Sequence, residues 1–218
     1  MTVPADGDGE ADGNGEATPV RLAAPVRLAA LDVLPTALTT RRIRLAPVTA
    51  GDIDVLWTIW RGADVRRYLF DDIDVTRERV EEIVRTIVLP SQVRKLGIWL
   101  ARMQASAVVI GTVGLLPVTT SALYAPRLQG EIEALAAFDP SAWGNGYATE
   151  TLEALIDYAF RDLGLVRLAA VVDVPNEASH RLVARLGFAV SGEFLGPRYP
   201  FRTYVLTAAS SIRRRAGD

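Results

Sequence analysis

The chain has 218 residues, half of them hydrophobic, and a formal net charge of −2. That size and apolar content fit one globular domain with a full core plus a tail, and the near-neutral balance gives no general attraction to nucleic acid or to an anionic membrane surface. With no cysteine and a single histidine, His180, disulfides, thiolate metal sites and a cysteine nucleophile are excluded, and neither a histidine-built metal site nor a Ser-His-Asp triad is expected.

Residues 1–18 are small, polar and acidic, with Asp6, Asp8, Glu10, Asp12, Glu16 and four glycines. Such a segment buries too little area to offset its ordering entropy and is expected to be disordered. It carries no basic n-region ahead of an apolar run, and no apolar run anywhere approaches the roughly 20 residues of a membrane span. A soluble, cytoplasmic protein is therefore expected. A tandem repeat follows, Pro19-Val20-Arg21-Leu22-Ala23-Ala24 and Pro25-Val26-Arg27-Leu28-Ala29-Ala30. Two copies are too few for a solenoid, so residues 1–38 read as a loosely attached arm and the folded domain as residues 39–208.

Arg41 to Ala46 alternates weakly and predicts a first strand. Thr49-Ala50-Gly51-Asp52 supplies capping chemistry for a helix with Ile53, Leu56, Ile59 and Trp60 on its apolar face. A second helix is predicted over Thr76 to Val88, from Val80, Ile83, Val84 and Ile87. Strands are predicted at Gly97–Arg102, at Ala107–Leu115, where Gly111 and Gly114 mark a bulge or close backbone approach, and at Glu131–Phe138. Leu152, Leu155, Ile156, Ala159 and Phe160 define a helix stopped by Gly164. The valine-rich run Leu165–Val174 reads as a buried central strand, Asn176 opens a short helix ending at Gly187, and strands at Phe188–Phe194 and Thr203–Thr207 follow. Residues 209–218, with Arg213-Arg214-Arg215, read as a solvated tail. The order of elements is that of one mixed α/β or α+β domain, not a βαβ repeat.

Gly144-Asn145-Gly146-Tyr147-Ala148 falls between a strand and a helix. Glycines there let backbone amides approach a ligand, and a helix start offers unpaired N–H groups and the positive end of the macrodipole. Together these suit a phosphate or pyrophosphate, and a plain strand-to-helix turn is the other reading. A Rossmann fingerprint fails because its sixth position is Thr149, and a Walker loop fails because no lysine follows the glycines.

The residues from Glu133 through Phe138-Asp139-Pro140 into Trp143-Gly144-Asn145-Gly146-Tyr147-Ala148-Thr149-Glu150, then Leu163-Gly164-Leu165, Asn176-Glu177-Ala178-Ser179 and Leu186-Gly187-Phe188, resemble in order the motifs of the GNAT acetyltransferase superfamily. Together with Thr40–Leu45 and Asp64–Leu69 they resemble the branch of the ribosomal-protein N-terminal alanine acetyltransferases, over roughly residues 39–207. The resemblance implies a central mixed, mostly antiparallel sheet flanked by helices. It also implies direct acetyl transfer from acetyl-CoA, without a metal, to a protein N-terminus or a small-molecule amine, by a monomer or homodimer. Phe138, Trp143, Gly144, Asn145, Gly146, Tyr147, Ala148, Thr149 and Asn176 are then expected to bind acetyl-CoA. Two departures stand out. Trp143 occupies a position where the family usually has Gln or Arg, although tryptophan is familiar there within the branch and the loop's backbone donors survive the change, and Glu133-Ala134-Leu135-Ala136 replaces the branch's frequent Glu-Ile-Gly-Tyr.

Glu133 aligns with the carboxylate proposed as base in related enzymes. Glu131, two residues away, is expected to share its face and to raise its pKa by like charge. Both could instead face solvent and bind a cationic substrate. Ser179 is implied near the thiol, as a relay or as an ordinary first-turn serine. Asn176 is an N-cap, a pantetheine ligand, or both. Tyr199 is a rival proton donor to the thiolate, and His180 is expected to be a solvated surface residue. Trp57 and Trp60 read as core on a helix that borders the acceptor pocket in the family. A non-catalytic acyl-CoA-binding module and an enzyme using a longer acyl chain are the competing functions.

Overall fold

The structure, a computed structural model, describes residues 35–217. The acidic segment and the tandem repeat lie outside the described residues. The fold starts slightly earlier than the sequence suggests: Pro35 is buried, the Trp99 indole N–H donates to the Thr36 carbonyl at 2.9 Å, and a two-residue strand β1 (Leu38–Thr39) pairs with β2 (Ile43–Pro47). Thr49 and Asp52 then cap each other reciprocally, leading into α1 (Ile53–Trp60), and α2 (Ala63–Leu69) follows. Helix α3 (Arg77–Ile83) is capped by the Thr76 hydroxyl, which accepts from the Arg79 N–H at 3.2 Å. It continues through a π turn at Val84–Val88 and a last turn at Leu89–Ser91. Pro90 supplies the cause, since its ring crowds the carbonyl four residues back and it has no N–H to donate.

Strands β3 (Gly97–Met103) and β4 (Val109–Pro117) come next, then a short helix α4 (Thr120–Tyr124), β5 (Ile132–Phe138), α5 (Tyr147–Asp157), β6 (Arg167–Asp173), α6 (Glu177–Arg185), β7 (Ala189–Phe194) and β8 (Phe201–Thr207). The last segment, read as a tail, is helical: α7 spans Ala208–Gly217, and Ser210 caps its start by hydrogen-bonding Thr207. One eight-stranded sheet runs β1-β2-β3-β4-β5-β6-β8-β7. Every pairing is antiparallel except β5–β6, which gives the mixed, mostly antiparallel sheet expected.

Both faces of the sheet are covered. On one, Ile43, Leu45, Trp99, Val113 and Leu115 pack with Leu152, Leu155 and Ile156 of α5. On the other, Ile98, Leu100 and Ala137 pack with Leu56, Ile59 and Trp60 of α1 and Val80 of α3. Burying each such aliphatic side chain stabilises by about 1.5–3 kcal/mol, which fixes the register of the strands between them. Gly111 is required by close approach: a Cβ there would lie 2.6 Å from the Phe138 ring and 2.7 Å from the Ala137 carbonyl. A third cluster of Val118, Ala125, Leu128, Ala169 and Phe201 seats the segment between β4 and β5 against the β6–β8 half of the sheet.

The β5–β6 junction is what positions the site. β4 and β5 stay in register from Gly111–Phe138 to Pro117–Ile132, but β5 and β6 pair only at Glu133–Ala169. Beyond that rung the two strands splay, opening a gap in the middle of the sheet.

Candidate active site

The glycine loop closes one end of this gap. Asp139 caps a short turn at Pro140–Ala142, its carboxylate accepting from the Ser141 N–H at 2.9 Å. Gly144 and Gly146 then take φ values of 76° and 77°, a left-handed conformation that costs side chains other than glycine about 1–2 kcal/mol. A Cβ at Gly144 would meet nothing within 4 Å, so the glycine is required by backbone conformation and the space beside it is open. Asn145 pins the turn from inside, donating to the carbonyls of Ala142 and Trp143 at 3.2 and 3.0 Å. Gly146 is the N-cap of α5, and no side chain caps it. The first N–H groups of Tyr147, Ala148 and Thr149 therefore point outward as donors. An open, glycine-lined helix start of this kind fits the diphosphate of acetyl-CoA.

Strand β5 presents backbone groups to the gap. The Asp139 N–H donates to the Ile110 carbonyl at 3.0 Å, which makes Gly111–Phe138 a non-hydrogen-bonded pair of the β4–β5 ladder. The N–H and C=O of Phe138, and of Ala136 two residues back, therefore turn toward β6. The Trp143 indole N–H folds back to donate to the Phe138 carbonyl at 2.8 Å, while the ring stays 51 % exposed. Tryptophan at this position thus supplies a brace between the loop and the end of β5.

Glu133 sits at the vertex where the strands part. It shares a face with Leu135 and Ala137, the face covered by α1 to α3. Burial pushes its carboxyl up to about 7, against a hydrogen bond from the Val171 N–H that lowers it. The Val171 amide, which lacks a strand partner past the last rung, thus finds the Glu133 carboxyl. Glu131 plays no part in that shift. Its carboxylate is ion-paired with Arg167 at 3.0 Å, so burial alone raises Glu133 and the expected like-charge effect is absent.

The far end of β6 gathers most of the remaining predicted residues. Asn176 caps α6, its side-chain oxygen accepting from the Ser179 N–H at 3.2 Å, and among the described residues the Ser179 hydroxyl has no partner. The Tyr68 hydroxyl donates to the Pro175 carbonyl at 3.3 Å, and its ring lies 6.2 Å from that of Tyr199. Tyr199 is thereby brought beside the turn that carries Asn176. Glu133 makes no direct contact with Ser179 or Tyr199; the three lie around one gap on different elements. His180 is not the solvated surface residue expected. Its Nε2 lies 3.1 Å from the Val174 carbonyl, which can only accept, and its Nδ1 lies 2.7 Å from the Tyr204 hydroxyl, so both ring nitrogens are engaged inside the fold. Trp60 is core, 2 % exposed, with its indole N–H on the Thr112 hydroxyl. Trp57 is half-buried and donates to the Val75 carbonyl.

Sequence reasoning missed two acids here. Asp173, on the same strand face as Val171, is pushed up to about 6 by burial and then by Asp71. Asp71 and Asp72 both adopt left-handed backbone, φ 53° and 64°. Arg198 binds the Asp71 carbonyl at 3.0 Å and the Asp72 carboxylate at 3.1 Å, and Arg66 binds the Asp72 carbonyl and the Asp74 carboxylate at 2.9 and 2.6 Å. The Asp-Asp pair after α2 was the available signal, since aspartate tolerates this conformation.

Comparison with known proteins places this geometry. The profile of the acetyltransferase (GNAT) domain matches residues 42–189. The uncharacterized N-acetyltransferase YoaA of Bacillus subtilis is 29 % identical over 155 residues, covering 71 % of this chain and 84 % of that protein. Among solved structures, a ribosomal-protein α-N-acetyltransferase, RimL, in complex with coenzyme A superposes with a TM-score of 0.64 at 15 % identity over 79 % of this chain and 98 % of its own. A spermidine N-acetyltransferase from Vibrio cholerae in complex with CoA and spermine gives a TM-score of 0.62 at 16 % identity, over 78 % of this chain and 98 % of its own.

Proposed function

Because the chain belongs to the GNAT acetyltransferase family and is an N-acetyltransferase, we propose that it transfers acetyl directly from acetyl-CoA to a primary amine at the gap between β5 and β6, with Glu133 as the base. The observation that carries this reading is a carboxyl held near neutrality by burial at the vertex of the gap, with the glycine loop of Trp143–Thr149 at the other end.

Acetyl-CoA supplies an acyl group activated as a thioester. Gly144, Asn145, Gly146, Tyr147, Ala148 and Thr149 bind its diphosphate through backbone N–H groups and the start of α5. Trp143 holds the loop to β5, and Asn176 contributes from the opposite side of the gap. The N–H groups of Ala136 and Phe138 are donors for an oxygen that gains charge in the gap. Glu133, its carboxyl raised toward neutrality by burial, takes a proton from the incoming ammonium in its ionised form and leaves a lone pair free to form the C–N bond. As the C–S bond breaks, the sulfur takes a proton from a hydroxyl, with Ser179 and Tyr199 in reach of that end of the gap from α6 and the β7–β8 connection. No residue of the chain is acylated, so the step needs both substrates together.

The acceptor is a protein N-terminus or a small-molecule amine. Asp173 and Asp71 set a negative potential beside the gap that favours a cationic acceptor, in line with the spermidine and ribosomal-protein amines on which the neighbours act. Thiol release from acetyl-CoA, measured against peptides of varied N-termini, amino acids, polyamines and aminoglycosides, tests the reading. The expected result is turnover on at least one amine. Tight acetyl-CoA binding with no turnover on any class overturns it.

A further inference from the structure

The cradle for the diphosphate is built from uncharged parts. From Pro140 to Thr149 the chain has no lysine or arginine, and Trp143 stands where a cationic or amide side chain is usual. Backbone amides alone then meet a doubly charged diphosphate, and a hydrogen bond from a charged donor is about twice as strong as one between neutral groups. Two arginines from outside the loop reach it, Arg42 at Gly146–Tyr147 and Arg185 at Thr149. Arg42, in the turn between β1 and β2, lies with its guanidinium 4.4 Å over the Tyr147 ring, and its Nη2 is 3.7 Å from where a Cβ on Gly146 would sit.

Arg42 is held in place from one side only. Its Nε donates to Glu150 Oε2 at 2.6 Å and its backbone N–H to Oε1 at 2.8 Å, while the Thr40 hydroxyl donates to the same Oε1 at 2.6 Å. Burial raises the Glu150 carboxyl, but these donors together hold it below its ordinary range. Glu150 therefore stays charged and orients the guanidinium by its Nε edge. Among the described residues neither Nη of Arg42 has a hydrogen-bond partner, and the side chain remains 32 % exposed, twice the 16 % of Glu150. A guanidinium can serve two anions along two edges of its plane. Arg185 approaches the other flank but is engaged by the Thr149 hydroxyl at 3.4 Å.

We propose that Arg42 is a cofactor-binding residue, whose two Nη groups bind the diphosphate of acetyl-CoA at Gly146–Tyr147 while Glu150 and Thr40 hold it in position. The proposal rests on the acetyl-CoA reading above. It moves the cation that the loop lacks to the opposite end of the sheet sequence, and it gives the β1–β2 turn a binding function in addition to its packing.

Calorimetry on the full chain with CoA, dephospho-CoA and pantetheine tests it, using Arg42→Gln, Arg42→Lys and Glu150→Gln. Arg42→Gln is expected to weaken CoA and dephospho-CoA alike by about 10- to 100-fold, the value of one or two charge-assisted hydrogen bonds, and to leave pantetheine within about twofold, since it has no phosphate to lose. Arg42→Lys should recover only part of the affinity, because the charge remains but the two-edged, stacked geometry of the guanidinium is lost. Glu150→Gln should lower the melting temperature yet cost CoA binding far less than Arg42→Gln. Equal losses for Arg42→Gln and Glu150→Gln, or equal losses for CoA and pantetheine, would show a purely structural clasp and overturn the proposal. A loss confined to CoA and absent with dephospho-CoA overturns the diphosphate assignment. Absence of CoA binding by the unaltered protein would instead remove the reading on which the proposal rests.

Discussion

In the proposed reaction, Glu133 couples catalysis and stability through one shifted proton. Its folded pKa is raised, so the folded chain holds a proton that the unfolded chain releases near pH 4.5. The stabilising contribution is full below that value and is lost as pH climbs to about 7. Glu133→Gln should therefore lower kcat by about 10²–10⁴-fold and remove the ionisation near 7 from the pH–rate profile. The same variant should raise stability at pH 8 relative to pH 5, by up to about 3 kcal/mol. A pH–rate profile that keeps its limb would remove Glu133 as base. Gly146→Val puts a branched side chain at φ 77° and should weaken acetyl-CoA by at least about tenfold in calorimetry. That glycine was legible in the sequence because positive φ leaves few other choices. The environment of Glu133 was not: Arg167, which neutralises Glu131, lies on a different strand, and no local pattern announces a cross-strand partner. His180 was misread for the same reason, since Tyr204 comes to it from β8.

Elements with a strong hydrophobic period were legible and those held by tertiary contacts were not. The helices α1, α3 and α5 follow from their apolar spacing, β3 to β6 from apolar runs, and α6 from its Asn176 cap and Gly187 stop. Helix α2 escaped because only Val65 of its seven residues is buried, which is too little to show a period. Helix α7 escaped because three arginines read as solvated charge, although Ser211 within it is buried. The turn before β5 is held by an arrangement that sequence alone does not suggest. Arg127 lays its guanidinium 4.5 Å over the Phe194 ring and donates to the buried Thr203 hydroxyl at 3.1 Å, and it occupies the space a Cβ would need at Gly192. The bulge between Val190 and Gly192 is shaped around it. Gly192→Ala should cost about 1–3 kcal/mol in chemical denaturation by expelling this guanidinium. Once Arg127→Ala has emptied the space, adding Gly192→Ala should cost much less. Full additivity of the two would deny the contact.

At the scale of the molecule, charge is arranged about the gap, with Arg42 and Arg185 near the glycine loop and, near the end of β6, Asp71 and Asp173 beside an Asp72 carboxylate that Arg66 and Arg198 pair. An amine carrying a second cation should have a lower KM than a neutral-tailed amine of equal length, and that advantage should shrink as salt is raised to 1 M, because exposed charges beyond a Debye length of about 3 Å are then screened. A KM ratio insensitive to salt would remove Asp71 and Asp173 from acceptor recognition. The fold itself has a mechanical corollary. Strand pairing joins the two halves of the sheet, β1 to β5 and β6 to β8, at the single rung Glu133–Ala169, while their side chains share one core. A ligand lying in the gap bridges both halves and does the work of the missing rungs. Native-state hydrogen exchange should then report the amides of Ala136, Phe138 and Val171 slowing together when CoA is added, while those along the β6–β8 ladder hold their rates. The acetyl donor would thus serve for the length of each turnover as a strut between the two halves.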